Sequence, residues 1–274
     1  MWADRFRPIM IIRLVGGGHS HTGAVKGLRI NAAGFSLSLS LSLSVSYNRE
    51  SARARAPPMA PSDDQSKAVE ESSSMVSEAH NNKPISTIVI FVGVDCVGTV
   101  TASLVTYASI QALQPDLIIN AGTAGGFKAK GASIGDVFLA TQVAFHDRRI
   151  PIPVFDLYGV GLRKAFSAPN LVRDLNLKTG KLSTGDSLDM SPHDEASIIA
   201  NDATLKDMEG AAVAYVADLL KVPVIFVKAV TDIVDGDKPS AEEFLQNLQA
   251  VTAALDESVA KVVDFINGKC LSDL

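Results

Sequence analysis

Cysteine is scarce in this sequence of 274 residues, which contains only Cys96 and Cys270. Because the two lie far apart, they indicate neither a disulfide framework nor a zinc site, and we expect Cys96 to be a small buried residue. Long apolar runs are missing as well, since no run approaches the ~20 residues that a membrane-spanning helix requires. These absences predict a soluble protein of a reducing compartment, with no bound metal and no membrane partner.

Acidic residues are rare in the first 58 positions, whereas they outnumber basic residues in the rest. Residues 1–58 contain eight Lys and Arg but two Asp and Glu, and residues 59–274 contain 17 Lys and Arg against 28 Asp and Glu. An acidic body is a poor match for phosphate backbones, which argues against nucleic acid as the principal partner. With 47% apolar and 20% charged residues overall, the composition is typical of a globular protein with a substantial core.

The N-terminal segment has three interpretations. Its stretch FSLSLSLSLSVSY (Phe35–Tyr47) alternates serine with leucine, a pattern typical of a half-buried strand. A second interpretation is a non-coding leader read in frame, since a repeated CT dinucleotide translates as Ser-Leu, with Met59 as the ordinary start. A third is a plastid transit peptide, because the segment is rich in Arg and Ser and poor in acid. Under each of them we expect residues 1–84 to lie outside the fold, and without a transit peptide we expect a cytoplasmic protein.

From residue 85 to residue 274 the chain alternates short apolar runs with helical patterns, which predicts one α/β domain. A capping-box pattern formed by Ser240 and Glu243 marks the start of the last helix. The predicted strands are Thr87–Val92, Asp116–Gly122, Asp136–His146 and Val222–Val230, with a Gly-rich turn at Gly122–Gly126. The predicted helices are Thr99–Leu113, one that begins directly after Glu209, and one from Ser240 to Ile266.

Three polar features lie where predicted strands end. Thr123 follows one strand, Asp232 follows another, and Asp207, Met208 and Glu209 immediately precede a helix. In open α/β sheets, ligands bind beyond the carboxyl ends of the strands, so these groups can meet there. Each also has a purely structural interpretation, because an acidic residue favours a helix N-terminus and Asp232 is a common turn residue. The pattern alone therefore predicts a ligand crevice but no particular reaction.

Two other features are less specific. The turn GTAGG (Gly122–Gly126) lacks the dinucleotide-binding fingerprint, and Gly-rich turns after strands are common. His146 lies beside two arginines in a predicted loop, where we expect a structural or interfacial role rather than acid–base catalysis.

Four motifs together resemble the nucleoside phosphorylase-like superfamily, and more narrowly the 5′-methylthioadenosine/S-adenosylhomocysteine nucleosidases of plants. The motifs are IINAGTAGGF, STGDSLDM, DMEGAAVAYVA and KAVTDIVDGD. The resemblance runs from about residue 85 to the C-terminus. It implies a three-layer α/β/α sandwich around a central mixed sheet, a homodimer, and no cofactor. It also implies hydrolysis of the N-glycosidic bond of 5′-methylthioadenosine to adenine and methylthioribose, with water as co-substrate and a role in methionine salvage.

The resemblance assigns a role to five residues. Asp232 matches the acid that protonates N7 of the adenine, and Glu209 matches the residue that accepts hydrogen bonds from the ribose 2′- and 3′-hydroxyls. Met208 matches a contact to the sugar, and Thr123 matches a small hydroxyl residue near the ribose and the water. Leu188 matches the backbone position that reads the adenine edge.

A nucleoside phosphorylase is a neighbouring alternative within the same superfamily. In the phosphorylases that the sequence resembles, an arginine two residues before the Gly-Thr or Gly-Ser pair binds phosphate. This chain has Asn120 at that position. Without that cation the site is expected to bind phosphate poorly, which favours the hydrolase. The loop Asp147–Tyr158 resembles one that lies near the alkylthio pocket and the dimer interface.

The chain departs from the family at the end of its first strand. The family pattern there is Ala-Met-x-x-Glu, whose Glu activates the attacking water, and it is absent after STIVIFV (Ser86–Val92). Asp95 aligns with a later segment and is a poor substitute. We therefore expect slow hydrolysis and a sheet short of some N-terminal strands, as a splice variant or an imperfect gene model would produce. The alternative is a catalytically inactive isoform that binds nucleosides or dimerises.

Overall fold

The computed structural model describes residues 9–13, 82–92 and 97–274, in which one mixed sheet carries six helices. The strands are β1 (Ile9–Arg13), β2 (Thr87–Val92), β3 (Leu117–Gly126), β4 (Val137–Phe145), β5 (Arg163–Lys164), β6 (Lys178–Thr184), β7 (Leu205–Asp207) and β8 (Val224–Ile233). The helices are α1 (Thr99–Leu113), α2 (Asp156–Val160), α3 (Pro169–Leu175), α4 (Pro192–Ala200), α5 (Gly210–Leu219) and α6 (Ser240–Ile266). None of these helices is both long and apolar enough to cross a membrane.

The sheet combines parallel and antiparallel pairs. Strands β2, β3 and β8 run parallel to one another, with β3 in the middle, and β4, β6 and β7 form a second parallel set. The two sets join through antiparallel pairs between β4 and β8 and between β3 and β7. Strands β3, β8, β4, β6 and β7 therefore close into a ring, and the predicted central mixed sheet is confirmed.

Helices cover the sheet on both faces. On one face, buried residues of α1 and α5 pack with strand residues such as Val89 and Phe226 in a single apolar cluster. On the other face, α6 packs through its stripe of Val251, Leu255, Val259, Val262 and Ile266 against a second cluster. The spacing of three and four in that stripe is the spacing of residues that share one face of a helix. The three-layer α/β/α arrangement is thus confirmed.

The predicted turn at Gly122–Gly126 is wrong, because β3 continues through it to Gly126. Ladder partners hold this half of the strand, since Gly122, Thr123 and Ala124 pair with β8. Gly125 and Gly126 pair with both β7 and β8. The glycines permit close approach of neighbouring strands instead of reversing the chain.

The predicted capping box at the start of α6 is also wrong. The N-cap position is Pro239, and no side chain caps the helix there. Glu243 instead accepts a hydrogen bond of 2.9 Å from the backbone N–H of Ile233, the last residue of β8. A local sequence pattern was therefore overridden by a tertiary contact that fixes the end of β8 next to Asp232.

Strand β1 corrects the prediction that residues 1–84 lie wholly outside the fold. Ile9–Arg13 pairs antiparallel with β2, from Ile9 opposite Phe91 to Arg13 opposite Thr87. Ile12 packs at the border of the apolar cluster under α6. The serine–leucine repeat and Met59 lie outside the described residues.

Candidate active site

A cavity of about 370 Å³ lies at the ends of strands β3, β7 and β8. All five residues that the sequence singled out line it: Thr123, Leu188, Met208, Glu209 and Asp232. Its other lining residues are Val97, Ala124, Gly125, Lys206, Asp207, Thr231, Val234 and Phe244. Groups separated by more than 100 residues of sequence are thus brought to one crevice, as the strand-end argument predicted.

A β-bulge directs Asp232 into this cavity. Ala124 pairs with Val230 but Gly125 pairs with Asp232, so Thr231 is the extra residue on β8. Such a bulge re-aims the following side chain. The partner position requires glycine, because a Cβ on Gly125 would lie 2.5 Å from Val234 and 3.0 Å from the Asp232 carboxylate.

Asp232 is 4% exposed, and burial raises its pKa above the ordinary value for aspartate. A hydrogen bond of 2.9 Å from the Thr231 hydroxyl to Oδ1 and the positive charge of Lys206 partly offset that rise. A carboxyl group that holds its proton more tightly than usual can serve as a general acid at higher pH.

Glu209 lies directly before α5, and burial together with the negative charge of Asp207 raises its pKa to about 7. The positive charge of Lys228 and a 3.1 Å hydrogen bond from the N–H of Gly98 act in the opposite direction. The sequence left open whether Glu209 merely favours a helix N-terminus. Glu209 does not cap α5 through its side chain, and it lines the cavity instead.

Behind Glu209 lies a buried ion pair that the sequence analysis did not identify. Lys228 Nζ is 2.8 Å from Asp207 Oδ2, and both side chains are essentially inaccessible to solvent. The Asp207 carboxylate also accepts hydrogen bonds from the Thr184 hydroxyl at 2.6 Å and from the N–H of Gly210 at 2.9 Å. These partners satisfy the buried charge. Asp207 is therefore a structural anchor for the start of α5, although it borders the cavity.

Leu188 lies in the segment between β6 and α4, and its side chain is half exposed at the mouth of the cavity. The ammonium group of Lys206 donates to the backbone oxygens of Ser187 at 2.7 Å and Leu188 at 2.9 Å. Lys206 was missed by sequence reasoning, because Leu-Lys-Asp, the sequence of the short buried strand β7, has no apolar pattern that marks its lysine as buried.

Two further predictions concern residues outside the cavity. Asn120 is 2% exposed and does not line the large cavity, so this position offers no group to a phosphate there. His146 is 2% exposed, and its Nδ1 lies 3.2 Å from the Ser183 hydroxyl. Burial, with the charge of Lys206, lowers the pKa of His146. His146 does not line the cavity, and its structural or interfacial role stays a prediction.

The end of β2 differs from the ends of β3 and β8. Strand β2 stops at Val92, and the described chain resumes at Val97, which lines the cavity with an apolar side chain. Asp95 and Cys96 lie outside the described residues. The described carboxylates that line the cavity are Asp207, Glu209 and Asp232, and Asp207 is neutralised by Lys228.

Comparison with known proteins agrees with this geometry. The family model described as Phosphorylase superfamily matches residues 74–264. A 5′-methylthioadenosine nucleosidase of Arabidopsis thaliana is 77% identical over 182 residues, which span 66% of this chain and 68% of that relative. This chain belongs to the 5′-methylthioadenosine/S-adenosylhomocysteine nucleosidases of the phosphorylase superfamily.

Solved structures of nucleosidases show the same fold. The apo structure of the Arabidopsis thaliana 5′-methylthioadenosine nucleosidase superposes with a TM-score of 0.65 and covers 66% of this chain and 75% of that one. A nucleosidase of Colwellia psychrerythraea in complex with adenine superposes with a TM-score of 0.55 at 27% identity, covering 64% of this chain and 78% of that one. The predicted nucleoside phosphorylase-like fold is confirmed.

Proposed function

We propose that this chain binds 5′-methylthioadenosine and hydrolyses its N-glycosidic bond to adenine and methylthioribose. The observation that carries the proposal is the convergence of Asp232, Glu209, Met208, Thr123 and Leu188 on one cavity. The names of its relatives support the same substrate. S-adenosylhomocysteine, which the names of several relatives include, is a second substrate of the proposal.

Asp232 supplies the proton in this proposal. Breaking the N-glycosidic bond leaves negative charge on the purine while the ribose becomes oxocarbenium-like, so protonation of N7 improves the leaving group. The raised pKa of Asp232, caused first by burial, supports its protonated form. General acid catalysis of this kind typically contributes 10²–10⁴ in rate.

Glu209 holds the ribose in this proposal. Its carboxylate accepts hydrogen bonds from the 2′- and 3′-hydroxyls, which favour the charged form and therefore lower its pKa from about 7 on binding. Met208 and Thr123 border the sugar, and the backbone at Leu188 reads the adenine edge. The hydroxyl of the water forms the new bond to the ribose C1′. The remaining proton of the water replaces the proton that Asp232 gives to the purine.

The activation of that water is the incomplete part of the site. No described residue at the end of β2 provides a carboxylate opposite Asp232. We therefore propose that hydrolysis by this chain is slower by orders of magnitude than hydrolysis by a nucleosidase with the Met-x-x-Glu segment, while nucleoside binding is retained.

An exposed apolar stripe supports a homodimer as part of the proposal. Val100, Leu104 and Tyr107 recur at helical spacing along α1 and are each more than half exposed. The segment from Ile150 to Tyr158 also exposes apolar side chains, among them Ile152 and Val154. A patch of this kind marks a protein interface. Leu104→Glu is expected to convert dimer to monomer in light scattering, whereas Leu245→Glu, at an exposed leucine of α6, is not.

Adenine release from 5′-methylthioadenosine, followed by chromatography with folding checked by circular dichroism, tests the hydrolase. Slow but measurable release is the expected result. Thermal stabilisation by the nucleoside without release would support the binding isoform, and a folded chain that neither binds nor hydrolyses would contradict both. Acceleration by added phosphate, with 5-methylthioribose 1-phosphate as the product, would favour the phosphorylase, which the burial of Asn120 argues against.

A further inference from the structure

Lys206 is a buried cation with no part in the mechanism described so far. The residue is 5% exposed on β7, yet it lines the cavity between Leu188 and Asp232. Burial of a lysine is costly because the ammonium group loses its hydration, and burial lowers the pKa of Lys206 accordingly. We therefore expect the buried ammonium group of Lys206 to have a role that offsets this cost.

The contacts of the ammonium group indicate that role. It donates to two successive carbonyl oxygens, at 2.7 Å for Ser187 and 2.9 Å for Leu188. The segment that carries them has no regular secondary structure between β6 and α4. A second anchor lies directly before these residues, where the N–H of Asp186 donates to Asp147 at 2.6 Å. The segment is therefore held by hydrogen bonds to β7 and to the chain just after β4 before any ligand binds.

We propose that Lys206 is a positioning residue, which fixes the backbone of Ser187 and Leu188 for the purine edge and places a positive charge beside Asp232. This inference rests on the proposed function, because it assumes that a purine occupies the cavity. Recognition by backbone groups requires a rigid loop, because a flexible loop loses conformational entropy when the ligand binds. Lys206 would thus act both on the backbone groups that bind the purine edge and on the Asp232 carboxyl group that protonates N7.

The charges that surround this pair come from several elements. Asp232 is influenced by Lys206 from β7 and Glu243 from α6. Lys206 is influenced by Asp232 and Asp207 at the strand ends and by Asp189 and Asp194 around the start of α4, and its charge acts on His146 at the end of β4. Removal of the Lys206 charge leaves mainly acidic neighbours around Asp232, so its proton should be held more tightly.

Adenine binding by the full chain, measured by calorimetry between pH 5 and 8, tests the inference without requiring turnover. Adenine needs a donor at N7, so its affinity should fall as Asp232 ionises. In Lys206→Met we expect adenine binding at least 10-fold weaker at low pH, and the alkaline fall in affinity moved to higher pH. Lys206→Arg should restore the position of the fall, because it keeps the charge.

Lys206→Gln separates the two contributions and serves if the methionine variant does not fold. Its amide can donate to one carbonyl, so we expect a smaller loss of affinity with the same alkaline shift. Lys164→Met, at an exposed lysine of β5, is the matched control and should behave as the unmodified chain. Hydrogen exchange of the amides of residues 187–189 should increase in Lys206→Met without ligand.

Two results would overturn the inference in distinguishable ways. Unchanged affinity, pH dependence and amide exchange in both neutral variants would show that Lys206 only fills space, with the proposed function intact. Absence of adenine binding by the unmodified folded chain would overturn the proposed function, and this inference with it.

Discussion

Strands β2 and β8 lie on either side of β3 and run parallel to it, yet they deliver different chemistry to the same edge of the sheet. Both are apolar and buried, as central strands are. Strand β8 continues for ten residues and carries Asp232 into the cavity through a bulge. Strand β2 ends after six residues, and the next described residue, Val97, brings an apolar side chain to the cavity.

The difference shows that strand formation and the delivery of a catalytic group are separate properties. The apolar core of each strand is sufficient to place it beside β3. The catalytic group depends on the few residues at the strand end, where β8 has the bulge that directs the buried Asp232 into the cavity. Under the proposed function, we expect this chain to retain the fold and the groups that contact the purine, while the group that activates water is incomplete.

The largest effect is expected from restoring a carboxylate to the end of β2. Replacing the direct link after Val92 with one that contains the family's Ala-Met-x-x-Glu segment should accelerate adenine release by ~10²–10⁴, because the water then meets a general base. Steady-state kinetics with 5′-methylthioadenosine measure this. The same replacement with Gln in place of the restored Glu is the control and should remain slow. Equal rates of adenine release with and without the restored Glu would show that the end of β2 does not limit hydrolysis, and that β2 and β8 do not differ in this way.

The next largest effect is expected at the end of β8. In the repaired chain, Asp232→Asn should lower kcat by ~10²–10³, because the amide cannot protonate the leaving purine. The exposed Asp237, a few residues farther along the same segment, supplies the control Asp237→Asn. A comparable loss in both variants would point to loop disruption rather than acid catalysis.

A smaller effect concerns the pH dependence of stability. The pKa of Glu209 is about 7 in the folded chain, against 4.5 when it is unfolded, so the folded chain holds this proton more tightly. The stabilisation is fully present below pH 4.5 and is lost as the pH rises to about 7, by roughly 3 kcal/mol at most. Urea unfolding at pH 4.5, 5.5 and 7 should show this decline, and Glu209→Gln should flatten it. A decline that persists in the variant would assign the effect to other groups.

The smallest effect is expected at the outer edge of β2. Deletion of residues 1–13 removes β1 and exposes the hydrogen-bonding edge of β2, which should lower the unfolding free energy by about 1–2 kcal/mol and promote association. Thermal unfolding and sedimentation measure the two consequences. Deletion of residues 1–8 alone leaves β1 in place and should change neither. If both deletions behave alike, β1 does not support the sheet.

The elements that followed from sequence were those with continuous patterns. Helix α1 has the predicted bounds Thr99–Leu113, and the stripe of α6 lies on the core as its spacing required. Predictions failed where partners distant in sequence decide. Gly122–Gly126 is strand because β7 and β8 pair with it, and Glu243 bonds Ile233 instead of capping its own helix.

The five site residues were predicted from motifs, but Lys206 and Lys228 were not, because their roles depend on contacts that no local pattern records. Lys228 stands in an apolar strand, and only the structure shows its partner Asp207 at 2.8 Å. Likewise, the role of Lys206 depends on its hydrogen bonds to carbonyl oxygens that lie 18 and 19 residues before it in the chain.

The sequence by itself determined the family, the α/β class and the identity of the groups that border the cavity, because apolar period and motif spacing are local properties of the chain. Only the tertiary structure decided that these groups meet, since the bulge at Thr231 and the ring of strands bring β3, β7 and β8 to one edge. It also decided the direction in which their pKa values shift. Burial and neighbouring charges, which raise the pKa of Asp232 and Glu209, exist only after the chain has folded.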